Sequence, residues 1–265
     1  MLKYLFVIFS IINLSIYAKD LNISVCVNDI QQIPQILLAN NKIVGSEIDI
    51  LNLAVKKLKG KLNIKFNIEM IPWIRCIYMA EKGEVDAVLN ASYNNERAQF
   101  LDYPPDASSI ETSPCSSKYL LTCAGYAVVT LNSDPYEYDG NPKNIPKPVR
   151  ASRGYSIVEE LQKIIPNDLE IDKDDMTNVK KLALNQKGSA VVFSSYFNKL
   201  KHDKELLKKV KLNKKMYVMK SYYLAFSKKK SFQNEDKLML WREIGAIAND
   251  KKLNSKIESK YLMFK

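Results

Sequence analysis

The chain has 265 residues, 46% hydrophobic and 26% charged, with a net charge of +11 and a single histidine. This is the composition of a folded globular protein with enough length for one large or two ordinary domains, not of a disordered chain. One histidine, His202, set between Lys201 and Asp203, leaves little from which to build a Ser-His-Asp triad or a multi-histidine metal site.

Met1-Leu-Lys followed by the apolar run 4–16 and Ser15-Ile-Tyr-Ala18 reads as a secretory signal peptide, residues 1–18, cleaved after Ala18. Its apolar core is shorter than the roughly 20 residues of a comfortable membrane span. An uncleaved anchor is the alternative. No cysteine stands at the cleavage point for lipid attachment, so the expected location is the periplasm, and loss of Lys3 leaves a mature charge of +10.

Residues 21–27 predict a first strand. Ser46-Glu-Ile-Asp49 has the pattern of a capping box, and Ile48, Leu51, Ala54, Val55 and Leu58 follow at helical spacing as far as Gly60. Residues 62–71 predict a second strand with Ile64, Phe66, Ile68 and Met70 on one face. Pro72 opens and Gly83 closes a helix that carries Trp73, Ile77 and Ala80 on one side. Residues 84–90, ending at Asn90, predict a buried third strand, with Ser92, Asn94, Asn95, Glu96 and Arg97 on a polar loop beyond it. The order β-α-β-α-β implies a parallel sheet, and ligands of such sheets bind past the carboxyl ends of the strands.

After Pro105 the chain turns polar and Ser/Thr-rich, then apolar over residues 126–131, then Asp-, Asn-, Gly- and Pro-rich over residues 132–148, which predicts a surface loop. A second α/β unit follows: a strand at 149–151, a turn at 152–156, a helix at 157–165 stopped by Pro166, a helix at 179–186 capped by Thr177 or Asp175, and a strand at 189–193. Gly154, between Arg153 and Tyr155 at a strand-to-helix turn, frees backbone N–H groups for an anion, or simply makes a tight turn. Residues 222–228 predict one more strand, and the chain closes with a helix through Leu238, Trp241, Ile244 and Ile247 and a short segment at 257–263. The Lys-rich stretch 199–230 reads as a solvated face; export argues against nucleic acid as a partner. No phosphate-cradling glycine loop is present, and the acidic run 172–175 lacks the Gly and Glu of a calcium loop, so neither cofactor nor metal is expected.

The run Pro72-Trp73, Arg75-Cys76, Gly83-Glu-Val-Asp-Ala87, Ser92, Glu96-Arg97, Asp102-Tyr-Pro-Pro105 resembles the extracellular solute-binding proteins of family 3, the amino-acid-type receptors of bacterial ABC transporters. The resemblance continues weakly over most of residues 22–264. It implies the two-lobed periplasmic-binding-protein (type II) fold, each lobe a mainly parallel sheet flanked by helices, with two hinge crossings. Lobe one is then residues 19–105 with 219–265, and lobe two residues 106–218. It also implies Arg97 as the grip on a ligand carboxylate, helped by Ser92, with a permease in the inner membrane as partner and a monomeric protein.

The wider ligand set expected from strand ends and turns is Asn90, Trp73, Arg153, Gly154, Tyr155 and Ser194. The family usually carries an Asp after the strand matching 189–193 to hold an ammonium group; here Phe193-Ser-Ser-Tyr196 stands instead. A buried ammonium without a carboxylate is costly, so the expected solute is small and polar or anionic, amino-acid-like or an organic acid, and an ordinary α-amino acid fits less well. Asp29 is the candidate for supplying the charge from the other lobe. An exported enzyme resembling the dehydratases on this scaffold, with Glu96 or Asp29 as acid or base, and a ligand sensor are the alternative readings.

Four cysteines in an exported chain suggest disulfides. Local pairing joins Cys115 to Cys123, and the strand order 2-1-3 usual for such a sheet brings Cys26 near Cys76; this is one of three connectivities. Buried thiols at Cys26 and Cys76 are the alternative.

Overall fold

Apolar residues at alternate positions carry β1 (Lys19–Asn28) into the middle of a parallel trio, between β4 (Leu62–Ile71) and β5 (Ala87–Ser92). The strand order is the expected 2-1-3. This computed structural model describes residues 18–108, 115–196, 200 and 202–263, so the signal peptide expected at 1–18 lies almost wholly outside the described residues. A hairpin of β2 (Leu37–Ala39) and β3 (Lys42–Val44), turned by Asn40 and Asn41 at φ 50° and 60°, was not expected; two Asn tolerate the left-handed region such a turn needs.

Helix α1 (Ser46–Leu58) does not use the expected capping box. Gly45 is its N-cap, no side chain caps it, and the amides of Ser46 and Glu47 donate instead to the carbonyls of Pro34 and Gln35. A Cβ on Gly45 would stand 2.0 Å from the Gln35 oxygen, so glycine permits this close approach. Helix α2 (Trp73–Lys82) follows Pro72 and ends at Gly83 with φ 76°, whose N–H closes the last turn.

Strand β5 runs two residues further than expected, to Ser92, because it pairs antiparallel with β11 (Val210–Ser227) in the register Tyr222 with Ser92 and Tyr223 with Ala91. β11 is 18 residues long. Its first part, expected as a solvated lysine face, is a strand that pairs with β7 (Thr122–Leu131), and its end also holds the short β6 (Leu101–Asp102). The sheet continues through β10 (Ser189–Phe193) and β8 (Val149–Ser152) to β9 (Leu169–Asp172), giving the path β4-β1-β5-β11-β7-β10-β8-β9. No element was expected at β9. Helices α3 (Ser156–Ile164) and α4 (Asp175–Asn185) cover its two faces; α4 is capped by Asp174, whose carboxylate accepts from the Thr177 amide, not by Thr177 or Asp175. The short α5 (Lys204–Leu207) precedes β11.

The packing separates into two lobes. In the first, Ile23, Leu51, Ala54 and Leu89 share a core with Leu240, Trp241 and Ile244 of α6 (Asn234–Ala248) and Ile257 of α7 (Lys251–Ser259). Ala107 and residues 119–121 pack in the same core. In the second, the period of two along β7 and β10 splits the apolar side chains: Val128 and Val191 face α3, and Val129 and Val192 face α4. Both expected disulfides are formed, Cys26–Cys76 fastening α2 to β1 and Cys115–Cys123 at the start of β7. Among the described residues no helix is long and apolar enough to cross a membrane.

Candidate functional site

The carboxyl ends of β1 and β5 and the N-terminus of α2 form one wall of a cleft between the lobes. β5 ends unusually. Asn90 lies inside it at φ 62°, a conformation that Asn adopts more readily than most residues, and its Nδ2 donates to Gln32 Oε1 at 2.6 Å. Its Oδ1 is buried without a partner among the described residues. Asn28, at the end of β1, lines the same cleft.

Arg97 closes this wall and is only 5% exposed. Its amide donates to Asn94 Oδ1, which holds the loop back against the strand end. Nη1 donates to the Ser92 carbonyl at 3.0 Å and lies 3.3 Å from Ser92 Oγ, Nη2 donates to the Gly154 carbonyl at 2.8 Å, and the guanidinium stands 5.2 Å from the Trp73 ring centroid. No carboxylate pairs with it among the described residues. Arg150, 1% exposed in β8, behaves otherwise: its Nε lies 2.8 Å from Glu170 Oε2. A guanidinium cannot shed its proton, so burying one without an anion leaves its desolvation uncompensated.

The opposite wall is aromatic. Tyr126, Phe193 and Tyr155 meet with ring centroids 5.6, 6.1 and 6.4 Å apart, and Phe193 contacts Tyr222 at 5.5 Å. Burial pushes the Tyr126 hydroxyl up to about 12 and raises those of Tyr155 and Tyr222 well above the ordinary range, so all three stay neutral at physiological pH. The walls touch across the cleft: Trp73 Nε1 and Arg97 both donate to the Gly154 carbonyl, Ser92 Oγ donates to Ser156 Oγ at 2.9 Å, and Asn28 meets the Tyr155 hydroxyl. Gly154 has φ 78°, and a Cβ there would come within 3.0 Å of Ile74 and 3.3 Å of Trp73. The space left between the walls is about 30 Å³, enough for one or two waters, so the cleft is closed.

The sequence agrees with a two-lobed arrangement of this kind. The chain matches the family of bacterial extracellular solute-binding proteins, family 3, over residues 23–221. It belongs to that family. No curated protein matches the sequence. Solved structures resemble this solute-binding protein over nearly its whole length. One is a histidine kinase sensor domain with similarity to periplasmic binding proteins, 16% identical, covering 91% of this chain and 96% of that chain with a TM-score of 0.69. Another is the substrate-binding protein of an amino acid ABC transporter, 20% identical, covering 91% and 98% with a TM-score of 0.62. A third is a putative L-cystine ABC transporter from Listeria monocytogenes, 16% identical, covering 91% and 95% with a TM-score of 0.65. At such identities the likeness speaks for the two-lobed fold alone.

Of the residues expected in the site of this solute-binding protein, Arg97, Ser92, Asn90, Trp73 and Tyr155 line the cleft, and Gly154 supplies its bridging carbonyl. Three do not. Asp29 is exposed, and the preceding Asn28 faces inward in its place. Arg153 is exposed, with its amide on the Asp172 carbonyl, and Ser194 ties β10 to β7 through Gly125. Asn28, Gln32, Tyr126, Phe193 and Tyr222 were missed. The one signal for the aromatics was position: Phe193 is the last residue of its strand and sits in register with Tyr126.

Proposed function

We propose that the protein captures a small anionic solute between its lobes in the periplasm and delivers it to an ABC transporter, with Arg97 as the charge anchor. The observation that carries this is the buried Arg97 guanidinium, which has protein carbonyls and a hydroxyl around it and no carboxylate among the described residues. A solute carboxylate would replace the Gly154 carbonyl on Nη2, turning a neutral hydrogen bond into a charge-assisted pair. Trp73, Asn90, Ser92, Gly154 and Tyr155 complete the grip.

The lobes we assign are residues 19–105 with 219–265 and residues 106–218, with the pivots drawn toward Leu121 and Tyr222, where the core membership changes. Export by a signal peptide cleaved after Ala18 fits the two disulfides, which persist in an oxidising compartment. A binding role is favoured over catalysis because, among the described residues, the cleft holds no carboxylate, lysine or histidine, and Glu96 and Asp29 are exposed.

A thermal-shift screen of amino acids, organic acids, sugars and small peptides finds the solute, and titration calorimetry with Arg97→Ala tests the anchor. The variant is expected to lose about 2 to 5 kcal/mol of binding, roughly 30-fold or more. Near-normal affinity removes Arg97 from the site. Small-angle scattering with and without solute reads closure, and a stabilising solute that leaves the shape unchanged rules out the hinge.

A further inference from the structure

Resting on that reading of Arg97, the composition of the two walls narrows the class of acid. The polar wall offers one cation, three amides and a hydroxyl, and the facing wall is Tyr126, Tyr155, Phe193 and Tyr222. No carboxylate lines the cleft among the described residues. Asp175, buried on the aromatic side, accepts from Ser152 Oγ at 2.5 Å and from the Phe193 amide at 3.1 Å, and it lines an adjoining cavity that shares Gln32, Tyr155 and Phe193 with the cleft. An α-amino acid would therefore bury its ammonium beside a guanidinium, with aromatic faces and amides to replace its water and with the Asp175 carboxylate of the adjoining cavity already accepting from Ser152 and Phe193. Cation–π attraction is weaker than the desolvation penalty of an ion left without a counter-charge. A neutral donor at the same position meets no such penalty, and one acceptor is waiting for it: the buried Asn90 Oδ1, without a partner among the described residues.

We propose that the solute is a 2-hydroxy acid with an apolar or aromatic side chain, its carboxylate on Arg97 in place of the Gly154 carbonyl, its hydroxyl donating to Asn90 Oδ1, and its body against Tyr126, Phe193 and Tyr222. The walls of the cleft part beyond the roughly 30 Å³ of the closed form to take it. Arg97 supplies the charge recognition, Asn90 distinguishes a hydroxyl from a ketone, the missing counter-charge disfavours an ammonium, and the aromatic wall takes the side chain. The left-handed backbone at Asn90 lies within β5, two residues before its end at Ser92.

Calorimetric titration of the mature protein with matched pairs tests this: L-phenyllactate against L-phenylalanine, L-2-hydroxyisocaproate against L-leucine, and phenylpyruvate as the keto partner. The hydroxy acid is expected to bind at least about ten-fold more tightly than the amino acid in one pair or more, with the keto acid weaker than phenyllactate. Asn90→Asp, which suits the same backbone and adds a carboxylate, is expected to shift the preference at least about ten-fold toward the amino acid, an outcome that mere loss of structure would not produce. Amino acids binding the wild-type protein as tightly as their hydroxy partners overturn the proposal. If Arg97→Ala then abolishes that amino-acid binding, the anchor stands and only the solute class falls. Binding of neither acid in any pair overturns the proposal as well, and stabilisation by an uncharged sugar or an amine alone takes the Arg97 reading with it.

Discussion

Arg97 at the cleft and Glu47 at the start of α1 are both buried ionisable groups without an ion-pair partner among the described residues, yet the protein treats them in opposite ways. Glu47 is fully buried, both its oxygens lack hydrogen-bond partners among the described residues, and burial, with Glu258 nearby, raises its pKa to about 8. It meets the cost of burial by keeping its proton. Arg97 has no such exit, since guanidinium stays charged at any physiological pH. It takes backbone carbonyls and the face of Trp73 as partial compensation. A carboxyl in a dry place is thus a matter of stability, whereas a guanidinium in a dry place asks for an anion.

The largest effect that sharpens this contrast is on stability at Glu47. Its folded pKa lies above the unfolded value of 4.5, so the unfolded chain gives up the proton first as pH rises. Stability from this group is complete below about pH 4.5, falls between there and about pH 8, and levels off above; at about 1.4 kcal/mol per unit, the loss is on the order of 5 kcal/mol. Glu47→Gln is expected to flatten that slope in urea unfolding at pH 5, 6.5 and 8. A variant with the wild-type slope means that Glu47 ionises freely.

Arg97→Met, which keeps the length and removes the charge, comes next. It is expected to abolish solute binding, by about 2 to 5 kcal/mol, while the unliganded melting temperature stays level or rises, because an unpaired buried charge costs stability. A large drop in melting temperature without solute would make Arg97 a structural residue like Arg150. Arg97→Lys keeps the charge and loses the planar fork; affinity is expected to fall roughly ten-fold, and wild-type affinity would reduce the anchor to a point charge.

The smallest effect concerns the bridge between the walls. Gly154→Ala adds a methyl at φ 78° and presses on Ile74 and Trp73 only when the cleft is shut. Binding is expected to weaken about five-fold, with scattering showing a more open unliganded form. Unchanged affinity and shape would mean that the closed contact at Gly154 does not limit closure.

Much of the scaffold was legible from apolar periodicity. The alternation in β4, the Pro72 to Gly83 frame of α2 and the run 189–193 each say where an element lies without reference to the rest of the chain. Elements whose signal depends on a partner were missed. The first half of β11 is lysine-rich and reads as a solvated face until β7 is laid beside it, and β9 is a short edge strand next to β8. In the site, Arg97, Ser92 and Trp73 stood out as polar or aromatic residues next to strand ends. Asp29 did not reach the cleft, although its neighbour Asn28 did, because adjacent residues leaving a strand point in different directions. Tyr126, Phe193 and Tyr222 looked like ordinary strand residues; nothing local tells a ring that fills a core from one that faces a cleft.

By itself, then, the sequence determined β1, α1, β4 and α2, the run 189–193 and the short Cys115–Cys123 pairing, since these follow from side-chain periodicity, turn chemistry and short-range spacing. Tertiary structure alone decided the rest. It set β11 between the lobes, gave the cleft one polar and one aromatic wall, brought Gly154 onto Arg97 across 57 positions of sequence, and left that arginine without a counter-ion among the described residues. Burial and charge pairing are properties of what packs against a residue, and what packs against Arg97 comes from the end of β5, the start of α2 and the turn after β8.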